Sequence, residues 1–76
     1  MERLLDILKD LHEDIDYINC IDLVDGGILD SFDIVTLIAD ISEEFDINIP
    51  AEEIVPENFN SVEAIDTLIK RLIDEN

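Results

Sequence analysis

The stretch DGGILDSFDIVTLI, residues 25–38, changes character at Ser31. Before it stand Gly26 and Gly27, which favour a loop; after it Ile34, Leu37 and Ile38 recur at spacings of three and four, the pattern of a helix with one apolar face. Asp30 occupies the place of an N-cap, where a short carboxylate accepts a bond from a first-turn N–H that has no partner within the helix. The stripe continues through Ile41 to Phe45, so the segment predicts a helix from Ser31 to about Phe45.

The same spacing appears on either side. Leu4, Ile7, Leu8 and Leu11 share one face, with Glu2, Lys9, Asp10 and Glu13 elsewhere, which predicts a first helix from about Glu2 to Glu13. Asp14 to Asp30 keeps no helical period and is predicted to be an ordered loop across the end of a bundle, pinned by Ile15, Ile18, Ile21, Leu23, Ile28 and Leu29. Pro50 followed by AEEI offers a proline start and an acidic first turn for a very short helix, which Pro56 then stops. Asn60 or Ser61 can cap a last helix with the stripe Val62, Ile65, Leu68, Ile69 and Leu72, and with Lys70 and Arg71 near its C-terminus, where the helix dipole favours cations.

No stretch alternates strongly enough for a sheet, so these elements predict an all-α fold: a small four-helix bundle with three longer helices and a short third one. With 76 residues, 47% of them hydrophobic, the expectation is a single domain over residues 1–76, because the apolar faces suffice for one seam and leave none for a second core. A deep catalytic cleft does not fit a chain of this size.

Charge narrows the partners. Against 21 Asp and Glu stand 4 Lys and Arg, and the net charge of -17 opposes nucleic acid and anionic membranes, so docking partners should be basic. The frequent Ile, Leu and Val separate the chain from disordered acidic segments. A single cysteine, Cys20, allows no internal disulfide and reads as a small, partly buried side chain in a cytoplasmic protein. The opening MERLLDILKD mixes charges among its apolar residues, which fits neither a signal peptide nor a membrane span.

Enzyme chemistry finds little support. His12 is the only histidine and lies among Asp10, Glu13 and Asp14, the setting of a solvated imidazole rather than of a base for a nucleophile. The acids lack a pocket to raise one carboxyl pKa above another. A calcium loop beginning at Asp22 would place Gly27 at its sixth position, but Val24 and Gly26 fall at positions three and five, and Asp33 replaces the bidentate Glu at position twelve. No metal site is expected.

Ser31, taken by itself, reads as a capping residue. The run from Gly26 to Val62, however, resembles the core of the acyl carrier protein family, in which an Asp-Ser-Leu triplet carries the prosthetic group; here the triplet is Asp30, Ser31 and Phe32. EEFDINIP, Glu43 to Pro50, is similar to the end of the second helix and the following loop of bacterial acyl carrier proteins, and NSVEAI opens the last helix as in the family. Phe32 departs from the usual leucine, and the PENFN connection is longer than usual. DLVDGGILDS, by contrast, resembles the D-alanyl carrier proteins of teichoic acid modification, so the cargo stays open between fatty acid, polyketide, peptide and D-alanyl pathways.

The resemblance implies a stand-alone, monomeric carrier of acyl-carrier-protein type that is a substrate of other enzymes. Ser31 would hold 4′-phosphopantetheine, placed from coenzyme A by a phosphopantetheinyl transferase with magnesium, and Asp30 would help to hold that metal or dock the transferase. The thiol so acquired would carry thioesters for adenylating loading enzymes and for downstream acyltransferases or synthases. Its anionic phosphodiester would lie at the positive end of the second helix.

Phe32, Val35 and Ala39 fall on a side of that helix distinct from the core stripe, flanked by Asp33, Thr36, Asp40 and Glu43. This apolar centre with an acidic rim suits transient basic partners, although Val35 reads equally well as partly buried. Two other classes compete: an acidic interaction domain in which Ser31 only caps a helix, and a calcium-responsive helical module.

Overall fold

The three long apolar stripes fold as helices because each keeps its period over at least two and a half turns, with neither proline nor glycine inside. A computed structural model describes residues 2–75. Among them are α1 (Glu2–Leu11), α2 (Ser31–Phe45), α3 (Pro56–Phe59) and α4 (Val62–Glu75), with a 3₁₀ turn at Ala51–Glu53 and no strand. The expected all-α fold, three longer helices and a short third one, is therefore observed.

α1 packs against α2 and α4, and α3 packs against α4. The core takes Leu4 and Leu8 from α1, Leu37 and Ile41 from α2, and Val62, Ile65, Leu68, Ile69 and Leu72 from α4. Tyr17, Leu23 and Leu29 enter from the long loop, Ile47 and Ile49 from the connection after α2, and Phe59 from α3. No described helix is long and apolar enough to cross a membrane.

Several local expectations are corrected. α1 stops at Leu11 instead of Glu13, and the Tyr17 hydroxyl closes its end, lying 2.7 Å from the Leu8 carbonyl and 2.9 Å from that of His12. Tyr17, not named among the loop's anchors, is thus one of its main ones, whereas Ile18 and Ile21 are 65% and 79% exposed and pin nothing. The short helix expected after Pro50 is only the 3₁₀ turn. Pro56 starts α3 instead of stopping a helix, because at a first helical position its missing N–H costs no bond; Val55 before it is extended, as a residue preceding proline prefers.

At α4, Ser61 rather than Asn60 caps, its hydroxyl accepting the Ala64 N–H at 3.1 Å. The helix runs on to Glu75, so Lys70 and Arg71 do not lie in its last turn. They pair instead with Asp66 and Glu53.

Arg3 binds Glu44 through its carboxylate at 2.8 Å and its carbonyl at 2.6 Å, and stacks over the Phe45 ring at 4.8 Å, so a cation sits at the negative end of α2. Among the described residues, three of the four Lys and Arg are thereby matched to acids, leaving most of the acidic side chains there without a cation. Sodium chloride or magnesium is expected to raise the melting temperature by several degrees, since about 1 kcal/mol of relieved repulsion moves a domain of this size by roughly 4–8 °C. A melting temperature flat in salt would show that self-repulsion does not limit the fold.

Candidate functional site

Two glycines shape the approach to α2. A Cβ on Gly26 would meet the Asp22 carbonyl oxygen at 2.6 Å, and Gly27 has φ +76°, a region side chains rarely adopt. The loop then docks on the α3–α4 junction through Asn60, whose side-chain oxygen accepts the Val24 and Asp25 N–H groups at 3.0 Å each. The Asn60 amide donates to the Asp25 carboxylate at 3.0 Å, and its carbonyl accepts the Leu23 N–H at 2.9 Å. Asp25 and Asp33, two acids of the rejected calcium pattern, are both engaged in the chain's own contacts.

Asp30 is the N-cap: its carboxylate accepts the Asp33 N–H at 2.8 Å, and the Asp33 carboxylate accepts the Asp30 N–H at 3.4 Å, a reciprocal capping box. Ser31 is therefore the first helical residue. It is exposed, and its hydroxyl takes part in none of the hydrogen bonds of this turn, which run from Asp30, Asp33 and Thr36. The capping reading of Ser31 loses its basis, because the neighbouring aspartate does that work.

A groove of about 300 Å³ opens beside Ser31. Val24, Ile34, Val35, Ile54, Val55, Pro56 and Phe59 line it, so the serine hydroxyl is the one polar side chain at an otherwise apolar recess. Apart from Val35, these residues do not figure in the sequence reading of the site. The clue available was the apolar run Ile54-Val55-Pro56 between two short helical turns. Glu53 holds that wall to α4 through its ion pair with Arg71, whose second guanidinium nitrogen lies at 3.1 Å, while the Asn58 amide donates to the Glu53 carbonyl at 2.8 Å. The Arg71 guanidinium keeps the Glu53 carboxyl below its usual range.

The proposed recognition residues fall into two groups. Phe32 (78% exposed), Val35 (66%), Ala39, Asp40 and Glu43 stand open to solvent, and Val35 also edges the groove. Thr36 is half-buried and donates to the Phe32 carbonyl at 3.1 Å. Asp33 is turned inward: besides its part in the capping box, its carboxylate lies 2.9 Å from Nε2 of His12. That contact raises the His12 pKa above its ordinary value, against some desolvation, and lowers that of Asp33. His12, read as merely solvated, thus links the end of α1 to the start of α2.

Residues 2–69 match the family model described as a phosphopantetheine attachment site. The chain belongs to the phosphopantetheine-attachment carrier family. The carrier is 49% identical over 47 residues to aminoacyl carrier protein 1 of Bradyrhizobium diazoefficiens, covering 62% of this chain but only 51%, about half, of that relative. It is 32% identical over 81 aligned positions to the D-alanyl carrier protein of Lactococcus lactis subsp. cremoris, covering 99% and 98% of the two chains. With the D-alanyl carrier protein of Streptococcus uberis the figures are 36% over 72 residues, 93% and 91%. No solved structure matches the carrier.

The family's cofactor is covalently attached 4′-phosphopantetheine. An exposed, unengaged hydroxyl at a helix start, beside an apolar recess, fits such a group: first-turn N–H groups favour the phosphodiester, and the recess offers apolar shelter. When bound, the arm supplies a thiol that the chain does not encode. The encoded thiol, Cys20, is directed instead at the Asp22 carboxylate at 3.3 Å.

Proposed function

We propose that Ser31 is the attachment residue, and that residues 1–76 act as one monomeric, cytoplasmic carrier domain presenting an aminoacyl or acyl thioester to partner enzymes. The observation that carries this reading is the division of labour at the start of α2, where Asp30 caps and leaves the Ser31 hydroxyl exposed and free. In the loading step the Ser31 oxygen forms a bond to the pantetheine phosphate of coenzyme A. The pyrophosphate link breaks, adenosine 3′,5′-bisphosphate leaves, and the serine proton passes to a base of the transferase. Asp30, exposed next to the reacting oxygen, assists by docking the transferase or its magnesium. The carrier is a substrate in this scheme and not the catalyst.

Relatives named aminoacyl and D-alanyl carrier proteins support an aminoacyl cargo, supplied by an adenylating enzyme and passed to a downstream transferase or synthase. The groove beside Ser31 supports transient shelter of the arm's apolar portion. The test is intact mass after incubation with coenzyme A, magnesium and a broad-specificity phosphopantetheinyl transferase, followed by fragmentation to locate the adduct. One phosphopantetheine on Ser31 is expected; an unmodified folded protein beside an active control, or an adduct elsewhere, overturns the assignment.

For recognition we infer that Phe32, Val35 and Ala39 make the central contact, with Asp40 and Glu43 steering. Asp40→Lys and Glu43→Lys are each expected to slow association with a basic partner several-fold at low salt, with little change in melting temperature, because exposed charges act on encounter more than on packing. Unchanged association rates for both variants in stopped-flow measurements would remove α2 from the docking face.

A further inference from the structure

We propose that His12 is a positioning residue for the loading of Ser31: its contact with Asp33 holds the capping box at the start of α2, and the charge on His12 sets how firmly that turn is held. The inference rests on Ser31 being the attachment residue. Its basis is a relay of named contacts. Nε2 of His12 lies 2.9 Å from Oδ2 of Asp33; the same oxygen accepts the Asp30 N–H, and the Asp33 N–H returns to the Asp30 carboxylate at 2.8 Å. Ser31 stands between the two aspartates of this box.

The imidazole is itself fixed from behind. The His12 N–H donates to the Leu8 carbonyl at 3.1 Å, and its carbonyl accepts from the buried Tyr17 hydroxyl at 2.9 Å, so the backbone bearing the ring is tied to α1 and to the loop. The ionisable groups acting on the ring are Asp33 of α2, the cap Asp30 and Asp14 of the loop, all acidic; Tyr17 is neutral in the range considered, because burial pushes its phenol up. No cation among them competes for Asp33. A positive ring is therefore what this corner favours.

His12 sits above its ordinary value, so its contribution is complete below about pH 6.5 and is lost as pH rises through the raised midpoint. As pH rises through that midpoint the box loosens progressively, and with it the backbone presented to the transferase.

The experiment has two arms. In the first, the unmodified full chain is titrated by nuclear magnetic resonance from pH 5 to 8.5: the amide signals of Ser31, Phe32 and Asp33 should move with the midpoint of the His12 ring, and that inflection should vanish in His12→Gln. In the second, loading rates of wild type and His12→Gln by one transferase are compared across the same range, so that the enzyme's own pH dependence cancels in the ratio. The wild-type advantage is expected to fall by about two- to fivefold from pH 6 to 8.5, the scale of an ion pair near the surface. A ratio independent of pH, or amide signals that ignore the His12 titration, overturns the proposal. Failure of wild type to be loaded at all overturns the Ser31 assignment, and the first arm, which uses no transferase, tells that failure from a failure of His12.

Discussion

Ser31→Ala is expected to abolish phosphopantetheine loading outright while leaving the fold within about 0.5 kcal/mol of wild type. The two halves of that expectation come from the same turn. Loading needs the hydroxyl oxygen, and alanine has none. Stability needs a cap, and the cap is Asp30, whose carboxylate holds the Asp33 N–H at 2.8 Å whatever stands at position 31. Alanine at a first helical position is also a good helix former, and the exposed serine gives up no described bond there. Intact mass and thermal melting on one sample read both halves. An alanine variant that still gains the group places the attachment elsewhere; one that melts far below wild type shows Ser31 to be part of the helix start after all.

Phe59→Ala is expected to cost about 3–5 kcal/mol, the usual loss for truncating a fully buried phenylalanine. A chain of this length has roughly 4–11 kcal/mol to lose in total, so the variant should sit at the edge of unfolding. The reason is local. Phe59 is 1% exposed and is the sole buried residue of α3, a helix of four residues whose N-cap makes no side-chain bond. Without the ring, α3 loses its one buried side chain and keeps only the polar tie from Asn58 through Glu53 to Arg71, and the floor of the groove beside Ser31 goes with it. Urea denaturation of the purified variant measures the loss. A change under 1 kcal/mol would mean that the groove wall is held chiefly by the Arg71–Glu53 pair and Asn58.

How far the sequence is legible depends on the range of the interactions. The three long helices follow from periodicity within each segment, and α2 begins and ends where its stripe and Asp30 place it. The proposal for Ser31 likewise draws on a local pattern together with a family resemblance. What escapes is set by contacts between segments. The partners His12 and Asp33 are 21 residues apart, and nothing in either neighbourhood announces the other. Tyr17 carries no periodic signal, yet it fixes the end of α1, while Ile18 and Ile21 look like core residues and face solvent. Pro56 can stop a helix or start one, and only the extended Val55 before it decides which.

The groove beside Ser31 resembles a vice with one fixed jaw and one adjustable jaw. The fixed jaw is α2 with Val24, the latter bolted through Asn60 to the start of α4. The adjustable jaw is Ile54, Val55 and Pro56, carried between two short turns without side-chain caps and anchored mainly at Glu53. Substitutions in residues 54–56 can therefore widen or narrow the gap without altering Phe32, Ala39, Asp40 or Glu43. In the proposed reading, fit to the bound group and fit to partner enzymes are therefore separable everywhere but at Val35, which edges the groove and also belongs to the docking face.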